Sequence, residues 1–428
     1  MAASFILSYI SLLILANNKL DASKVRSKIF RREKDSSLIL VNFDNCIYRK
    51  IPDLESVKEL GFDNRNIHKT NEDFLSNCKE IEPLGSLKHS NLSPDERMRV
   101  KIQKILALEY PSFWIESYLF PNMLNPSIER WNNHTMMIWR PGLYDSNITV
   151  AWLNANNSKI DEEKIMNGLG FRSQFSIKLF PFNNMREDPR LLLMHDNSLV
   201  ITYTSKVSLF EPPKQCYTIG RINKITGKIE FIDSILMENK EWKPTQKNWI
   251  PFENNNKLLF IQNINPLHII ENIMYDPITR IGTMQSIIKL NNTIKLPWRA
   301  EYGFPIRGGT PAILVKGVYL AFFHTVSKFQ HPLELRTYFM GAFTFCPHFP
   351  FKIHSMSSHP ILKEELYQGK WTDSPKIDYV MFPIGIMLDD KNSSFVWVSL
   401  GHQDRQGLVI KMNINGLFRT MDQVASCN

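Results

Sequence analysis

The stretch "MREDPRLLLMHDNSLVITYT" (Met185–Thr204) decides the fold. An apolar run, Leu191–Met194, is followed by the polar turn His195–Ser198 and a second apolar and β-branched run, Leu199–Thr204. Two such runs around a short turn are the signature of a β-hairpin. Pro189 sets the entry to the first strand, where its missing N–H costs little. Four other stretches share this form: "NPSIERWNNHTMMIWR" (Asn125–Arg140), "NWIPFENNNKLLFIQNI" (Asn248–Ile264), "GGTPAILVKGVYLAFFHT" (Gly308–Thr325) and "FPIGIMLDDKNSSFVWVSLG" (Phe382–Gly401). Their prolines, Pro126, Pro189, Pro251, Pro311 and Pro383, recur at roughly sixty to seventy residues, the length of a propeller blade of several short strands. The spacing predicts an all-β fold, a five-bladed β-propeller over residues 121–420. A β-sandwich with coincidental prolines is the competing reading, and the return of the hairpin after each proline speaks against it.

The rest of the chain reads differently. "SFILSYISLLILA" (Ser4–Ala16) has the length of a signal-peptide core and is short for a membrane-spanning helix, so residues 1–16 are expected to be a signal peptide. Residues 17–120 form a mixed N-terminal extension, with a helix expected from about Pro94 to Leu108, where Ser93 caps and early acids precede helically spaced apolar positions. Residues 421–428 are expected to be a C-terminal tail. Sequons at Asn91, Asn133, Asn147, Asn156, Asn291 and Asn392 agree with a glycoprotein of the secretory route, secreted or in the ER/Golgi lumen, without stable membrane insertion after signal cleavage. In that setting one or two disulfides are plausible among Cys46, Cys78, Cys216, Cys346 and Cys427, and Cys46–Cys78 is the expected pair.

With 428 residues, 43% of them hydrophobic and 22% charged, the chain has an ordinary folded composition. The net charge of +9 is scattered apart from "KVRSKIFRREK" (Lys24–Lys34) and reads as a basic surface. No zinc-finger spacing or RNA-binding signature is present, so nucleic acid is not an expected partner. No metal-ligand spacing is present either, and no metal is expected.

In a propeller the first strand of each blade lines the axis, so polar residues at its entry converge there. Blade by blade these are Asn125 and Arg140; Glu187, Asp188 and Arg190; Lys247, Asn248 and Trp249; Arg307 and His324, with Tyr338 on the next strand; and Asp389 or Asp390, His402 and Asp404. Carboxylates, cations, an imidazole and aromatics in one cavity suit a sugar: rings stack on aromatic faces and charged groups bond hydroxyls. A carboxylate beside cations can act as acid or base. Lys247, Arg307 and His324 together could hold an anion such as phosphate. Each has a plainer reading: Arg190 as partner in a structural ion pair, Trp249 as core, and His324 as a packed histidine.

The motifs "NPSI", "EDPRL", "KNWIPF", "RGGTPAIL", "YLAFFH", "YFMGAFTF", "IHSMSSHPIL", "FPIGIMLDD" and "VSLGHQD", in this order over about Leu124–Leu417, resemble those of glycoside hydrolase family 130, the β-mannoside phosphorylases and mannosidases, with related mannosyltransferases. The resemblance implies a five-bladed propeller and inverting chemistry on β-mannosides. It gives Asp188 the role of general acid, reaching the glycosidic oxygen through a sugar hydroxyl in the phosphorylases. By motif position it matches Lys247 with Asn248, Arg307 and His324 to the residues that hold phosphate, while Asn125, Arg140, Glu187, Arg190, Asn248, Trp249, Tyr338 and Asp404 are the candidate sugar contacts from their places at the strand entries. No cofactor is implied beyond inorganic phosphate as a co-substrate. The phosphorylases carry a further arginine late in the third blade. Here that stretch is "IQNINPLHII", with His268 the nearest basic residue, so hydrolysis and transfer to a sugar stay open beside phosphorolysis. The rival from another class is a secreted propeller that binds glycans without catalysis.

Overall fold

The computed structural model describes residues 27–32, 38–42, 47–51, 68–70, 79–80, 114–131, 134–140, 148–153, 175–177, 184–206, 212–222, 229–231, 234–238, 247–329, 335–361, 379–403 and 406–427. The chain divides into two units, residues 1–112 with 362–365, and residues 113–361 with 366–428. In the first, β1 (Ser27–Arg32), β2 (Leu38–Asn42) and β3 (Ile47–Ile51) form an antiparallel meander, with β4 (His68–Thr70) parallel to β1 and β5 (Lys79–Glu80) parallel to β3. Ile39 and Val41 are fully buried. The helix expected over Pro94–Leu108 and the cysteines Cys46 and Cys78 lie outside the described residues.

The second unit begins with β6 (Trp114–Pro121), which is used last. The first blade is β7 (Leu124–Trp131), β8 (His134–Arg140), β9 (Ile148–Leu153) and β10 (Phe175–Ile177), in that order from the inside. The second is β11 (Asn184–Leu193), β12 (Leu199–Lys206) and β13 (Lys214–Ile222), flanked by β14 (Ile229–Phe231) and β15 (Ile235–Glu238). The third is β16 (Ile250–Asn254), β17 (Lys257–Asn263), β18 (His268–Asp276) and β19 (Ile281–Lys289). The fourth has a broken inner strand, β20 (Arg307–Gly308) and β21 (Ile313–Val315), then β22 (Val318–Phe329), β23 (Leu335–Phe345) and β24 (Ile353–Ser357). The fifth is β25 (Tyr379–Leu388), β26 (Phe395–His402) and β27 (Gln406–Asn413), completed by β6. The last blade is therefore built from both ends of the unit. The propeller starts at Trp114 rather than residue 121, because "WIESYLFP" pairs with β27.

Side-chain alternation closes the ring. In β11, Leu191 faces the first blade, with Met136, Ile138 and Trp152, while the next residue, Leu192, faces the third blade, with Trp249 and Phe260. In β8, Met136 faces the second blade and Met137 faces the fifth, with Met387, Trp397 and Val409. Phe252 of the third blade meets Tyr319 and Phe345 of the fourth with ring centroids 5.3 Å apart in each case. Phe382 of the fifth meets His324 of the fourth at 4.4 Å. Each blade thus has two apolar faces, which explains runs such as "YLAFFH" that are apolar throughout instead of alternating. The five recurring prolines sit on innermost strands: Pro126, Pro189, Pro251 and Pro383 in β7, β11, β16 and β25, and Pro311 in the break between β20 and β21. An inner strand is an edge strand, where a missing N–H leaves no ladder bond unmade.

Edge N–H groups facing the axis are taken up by the neighbouring blade. Ser127 Oγ accepts from Leu191 N (2.9 Å), Glu129 Oε2 from Leu193 N (3.0 Å) and Glu253 Oε2 from His195 N (2.8 Å). These bonds set β7, β11 and β16 side by side in the same direction. The expected tail is ordered. After α1 (Ile414–Arg419), β28 (Met421–Gln423) pairs with β24, and Cys427 is disulfide-bonded to Cys346 with Cα atoms 5.3 Å apart. The link closes a span of 81 residues, worth about 4.5 kcal/mol on a chain-entropy account.

Candidate active site

The inner strands enter at one end of the ring, and their hairpin partners end there. Leu124 pairs with Arg140, Glu187 with Thr204, Arg307 with His324 and Met381 with His402. At this mouth Asn125, Asp188 and Asn248 hold equivalent positions in three successive blades. All three are in the left-handed region, with φ of 49°, 57° and 63°. Ladder pairing is interrupted just there, between Leu124 and Ser127 and between Glu187 and Arg190. Left-handed backbone outside glycine costs on the order of 1–3 kcal/mol at each position, and such bulges re-aim side chains at functional sites. Asn and Asp are the residues that adopt this conformation at least expense.

Asp188 is the focus of the arrangement. Asn125 Nδ2 donates to its Oδ1 (2.7 Å), while Oδ2 has no partner among the described residues. Asn125 is itself packed on the backbone of the fifth blade: a Cβ added at Gly401 would stand 1.9 Å from Asn125 Oδ1. Beside Asp188, half-buried Glu187 lies 3.8 Å from Arg140 Nη1, so the first and second blades share an ion pair at the rim.

Arg190 is a brace rather than a ligand contact, which corrects its expected role. It is fully buried. Its Nε donates to the carbonyl of Gly309, Nη1 to the carbonyl of Asp188 (3.0 Å) and Nη2 to Asn248 Oδ1 (3.1 Å). One planar guanidinium thereby fixes the second, third and fourth blades around itself, a use to which its rigid fork is suited. Burial lowers its pKa to about 10, and the nearby Asp188 opposes that shift, so it stays charged at neutral pH. This accounts for an arginine two residues after an aspartate at a strand entry. The aspartate turns outward on a left-handed residue, and the arginine ties that residue's carbonyl to two other blades.

The same three bonds define the cationic side. Lys247 precedes Asn248, and Arg307 stands two residues before Gly309. Lys247 is half-buried and Arg307 exposed. Both act electrostatically on His324, as Arg190 does. His324 is buried, stacks on Tyr338 (5.9 Å, 20° between planes) and touches Phe382. Burial first, and then the three cations, holds its pKa well below 6.5, against a backbone hydrogen bond at Gly308. His324 is therefore a neutral imidazole at neutral pH, correcting its expected place as a third cation. A neutral imidazole has a single N–H, and the Gly308 backbone takes it, so His324 brings no charge to an anion. A histidine kept neutral in the fold takes up its proton on unfolding. The stability it carries is complete above pH 6.5 and is lost as pH falls below that value. His268, also lowered by burial, contributes in the same direction. The unfolding free energy is expected to fall between pH 7 and pH 5, by up to about 1.4 kcal/mol per pH unit for His324, and the thermal midpoint to fall with it. His324→Gln should flatten that dependence. An unchanged slope in the variant would remove His324 from the account.

Other expectations are also corrected. Trp249 is 1% exposed and packs edge-on against Phe260 in the core between the second and third blades, so no face is left for a sugar. Asp389 and Asp390 follow the far end of β25. Asp389 bonds Trp397 Nε1 and Lys411 Nζ, and Asp390 pairs with Arg130, so neither reaches the mouth. His268 bonds Ser286 Oγ (2.7 Å) on β19. Asp404 lies outside the described residues. Among the described residues no three His, Cys, Asp or Glu side chains gather as metal ligands. The backbone of Gly308, which shapes the cationic side, tolerates no side chain: a Cβ there would meet the Asn248 carbonyl oxygen at 2.2 Å.

No protein-family model matches the chain, and no curated protein does. Solved structures with a similar course include a glycosyl hydrolase from Bacteroides ovatus (13% identity, TM-score 0.45, covering 71% of this chain and 86% of that one). Others are β-1,2-mannobiose phosphorylase from Listeria innocua (14%, TM-score 0.43, 74% and 95%) and MPT-4, a mannose phosphorylase from Leishmania mexicana (12%, TM-score 0.44, 74% and 93%). At these identities and TM-scores the likeness carries no functional argument of its own.

Proposed function

We propose that the protein is a carbohydrate-active enzyme that transfers a glycosyl group from a β-mannoside with inversion. The observation that supports this reading is the divided mouth. Asp188, held through one oxygen by Asn125 with the other free, stands across a shared brace from Lys247 and Arg307. Asp188, in its acid form, protonates the departing glycosidic oxygen. The acceptor attacks the anomeric carbon from the opposite face as that bond breaks, so a β-mannoside yields an α-product. Asn125, Arg140, Glu187, Asn248, Tyr338 and Asp404 are the proposed sugar contacts. Lys247 and Arg307 offset the charge of a phosphate acceptor, with neutral His324 packed beside them. No resident cofactor enters the reaction.

The acceptor is tested by running the reaction with and without inorganic phosphate. Removing one charge-assisted contact costs about 1.5–3 kcal/mol, or roughly ten- to a hundredfold in affinity. Arg307→Ala should therefore raise the phosphate concentration needed for half-maximal rate by that factor and spare sugar binding. A wild-type rate indifferent to phosphate assigns water or a sugar as acceptor. Saturable sugar binding without product would make the protein a lectin-like propeller. We also propose a secretory or lumenal location, supported by the Cys346–Cys427 disulfide and the exposed sequon residues Asn291 and Asn392.

A further inference from the structure

The rim of the fifth blade carries a polar side chain that no reading so far has used. Gln403 follows His402 at the end of β26, and its backbone is left-handed at φ 55°. Neither a glycine nor an asparagine stands there to ease that conformation. The turn is held in place: Gln403 N donates to the Val380 carbonyl (2.8 Å), and His402 Nδ1 pairs with Gln406 Nε2 (2.8 Å). Gln403 is 7% exposed, yet its Nε2 is buried with no hydrogen-bond partner among the described residues. An unpaired buried amide donor costs about 1–3 kcal/mol, and the backbone strain adds to that. A fold retains such a group where a ligand supplies the missing acceptor.

Its position says which ligand. Gly401, two residues earlier, packs on Asn125, whose amide holds Asp188. Val380, which anchors the turn, is two residues before Phe382, which packs on His324. Gln403 is thus on the wall that joins the carboxylate side of the mouth to the His324 side. A neutral amide donor reads a neutral acceptor, and in a site that takes a sugar that acceptor is a hydroxyl oxygen.

We propose that Gln403 is a specificity-determining contact of this site, donating from Nε2 to a hydroxyl of the sugar on which Asp188 acts. This rests on the glycoside reading above, and the experiment separates the two. Binding of methyl β-D-mannopyranoside to the full chain is measured by ligand-observed NMR for wild type, Gln403→Leu and Gln403→Glu, with thermal midpoints alongside. Both variants should bind about tenfold or more weakly. Gln403→Leu should melt at or above the wild-type temperature, because a buried unpaired donor has been removed. Wild-type affinity in the variants overturns the role of Gln403 alone. Loss of the fold in both variants makes Gln403 structural and overturns it too. Failure of the wild type to bind the probe overturns the glycoside reading, and Gln403's role with it.

Discussion

Asp188→Asn is expected to lower turnover by roughly 10² or more while leaving the protein folded. Asparagine tolerates the left-handed backbone at φ 57° as well as aspartate does. Its Oδ1 can still accept from Asn125 Nδ2, so the packing of Asn125 on Gly401 survives. What is lost is the proton that the leaving oxygen requires. The readout is product formed per unit time from a β-mannooligosaccharide at saturating concentration, with the thermal midpoint as control. Turnover equal to wild type would place the acid elsewhere in the mouth.

Arg190→Met should have the largest effect on stability. It removes the guanidinium that bonds the Gly309 and Asp188 carbonyls and Asn248 Oδ1, and leaves three buried acceptors without their donor. Orphaned groups cost about 1–3 kcal/mol each, so the loss is about 3 kcal/mol or more, or roughly 5–10 °C in the melting temperature of a unit this size. Arg190→Lys should recover little, because an ammonium cannot span three acceptors in one plane. A melting temperature within a degree of wild type would show that the brace is not what holds the three blades together at the mouth.

The repeat was legible in the sequence because its cause is local. A proline at each inner-strand entry, an apolar run, a turn and a second run are all read off neighbouring residues, and they placed the five hairpins. Two-faced burial was legible as well, in runs without alternation such as "YLAFFH". What escaped depends on partners far away in the chain. β6 completes the fifth blade by pairing with β27, almost three hundred residues later, and nothing in "WIESYLFP" announces that partner. The Cys346–Cys427 link, likewise, needs β28 to lie beside β24. At the site, Asp188, Asn125 and the Arg140–Glu187 pair lie together as their strand positions suggested. Arg190 and Trp249 were misassigned because residue type and strand position do not reveal which side of the strand is buried. A one-residue step decides it: Asp188 faces the mouth and Trp249, next to Asn248, faces the core. His324 was grouped with the cations because its burial, and the nearness of Arg190 and Lys247 from other blades, are not visible in its own segment. Gln403 had no signal, since one glutamine in a loop is ordinary until its buried amide and left-handed backbone are seen.

The central claim is that Asp188 protonates the leaving group of a β-mannoside while an acceptor inverts the anomeric carbon. The most direct measurement follows the anomeric proton signals in real time as purified protein acts on a β-mannooligosaccharide, with and without phosphate. The account predicts that the first product has the α-configuration, α-mannose or α-mannose 1-phosphate, and that it is absent with Asp188→Asn. A first product of β-configuration, or no product from any β-mannoside under either condition, would contradict it.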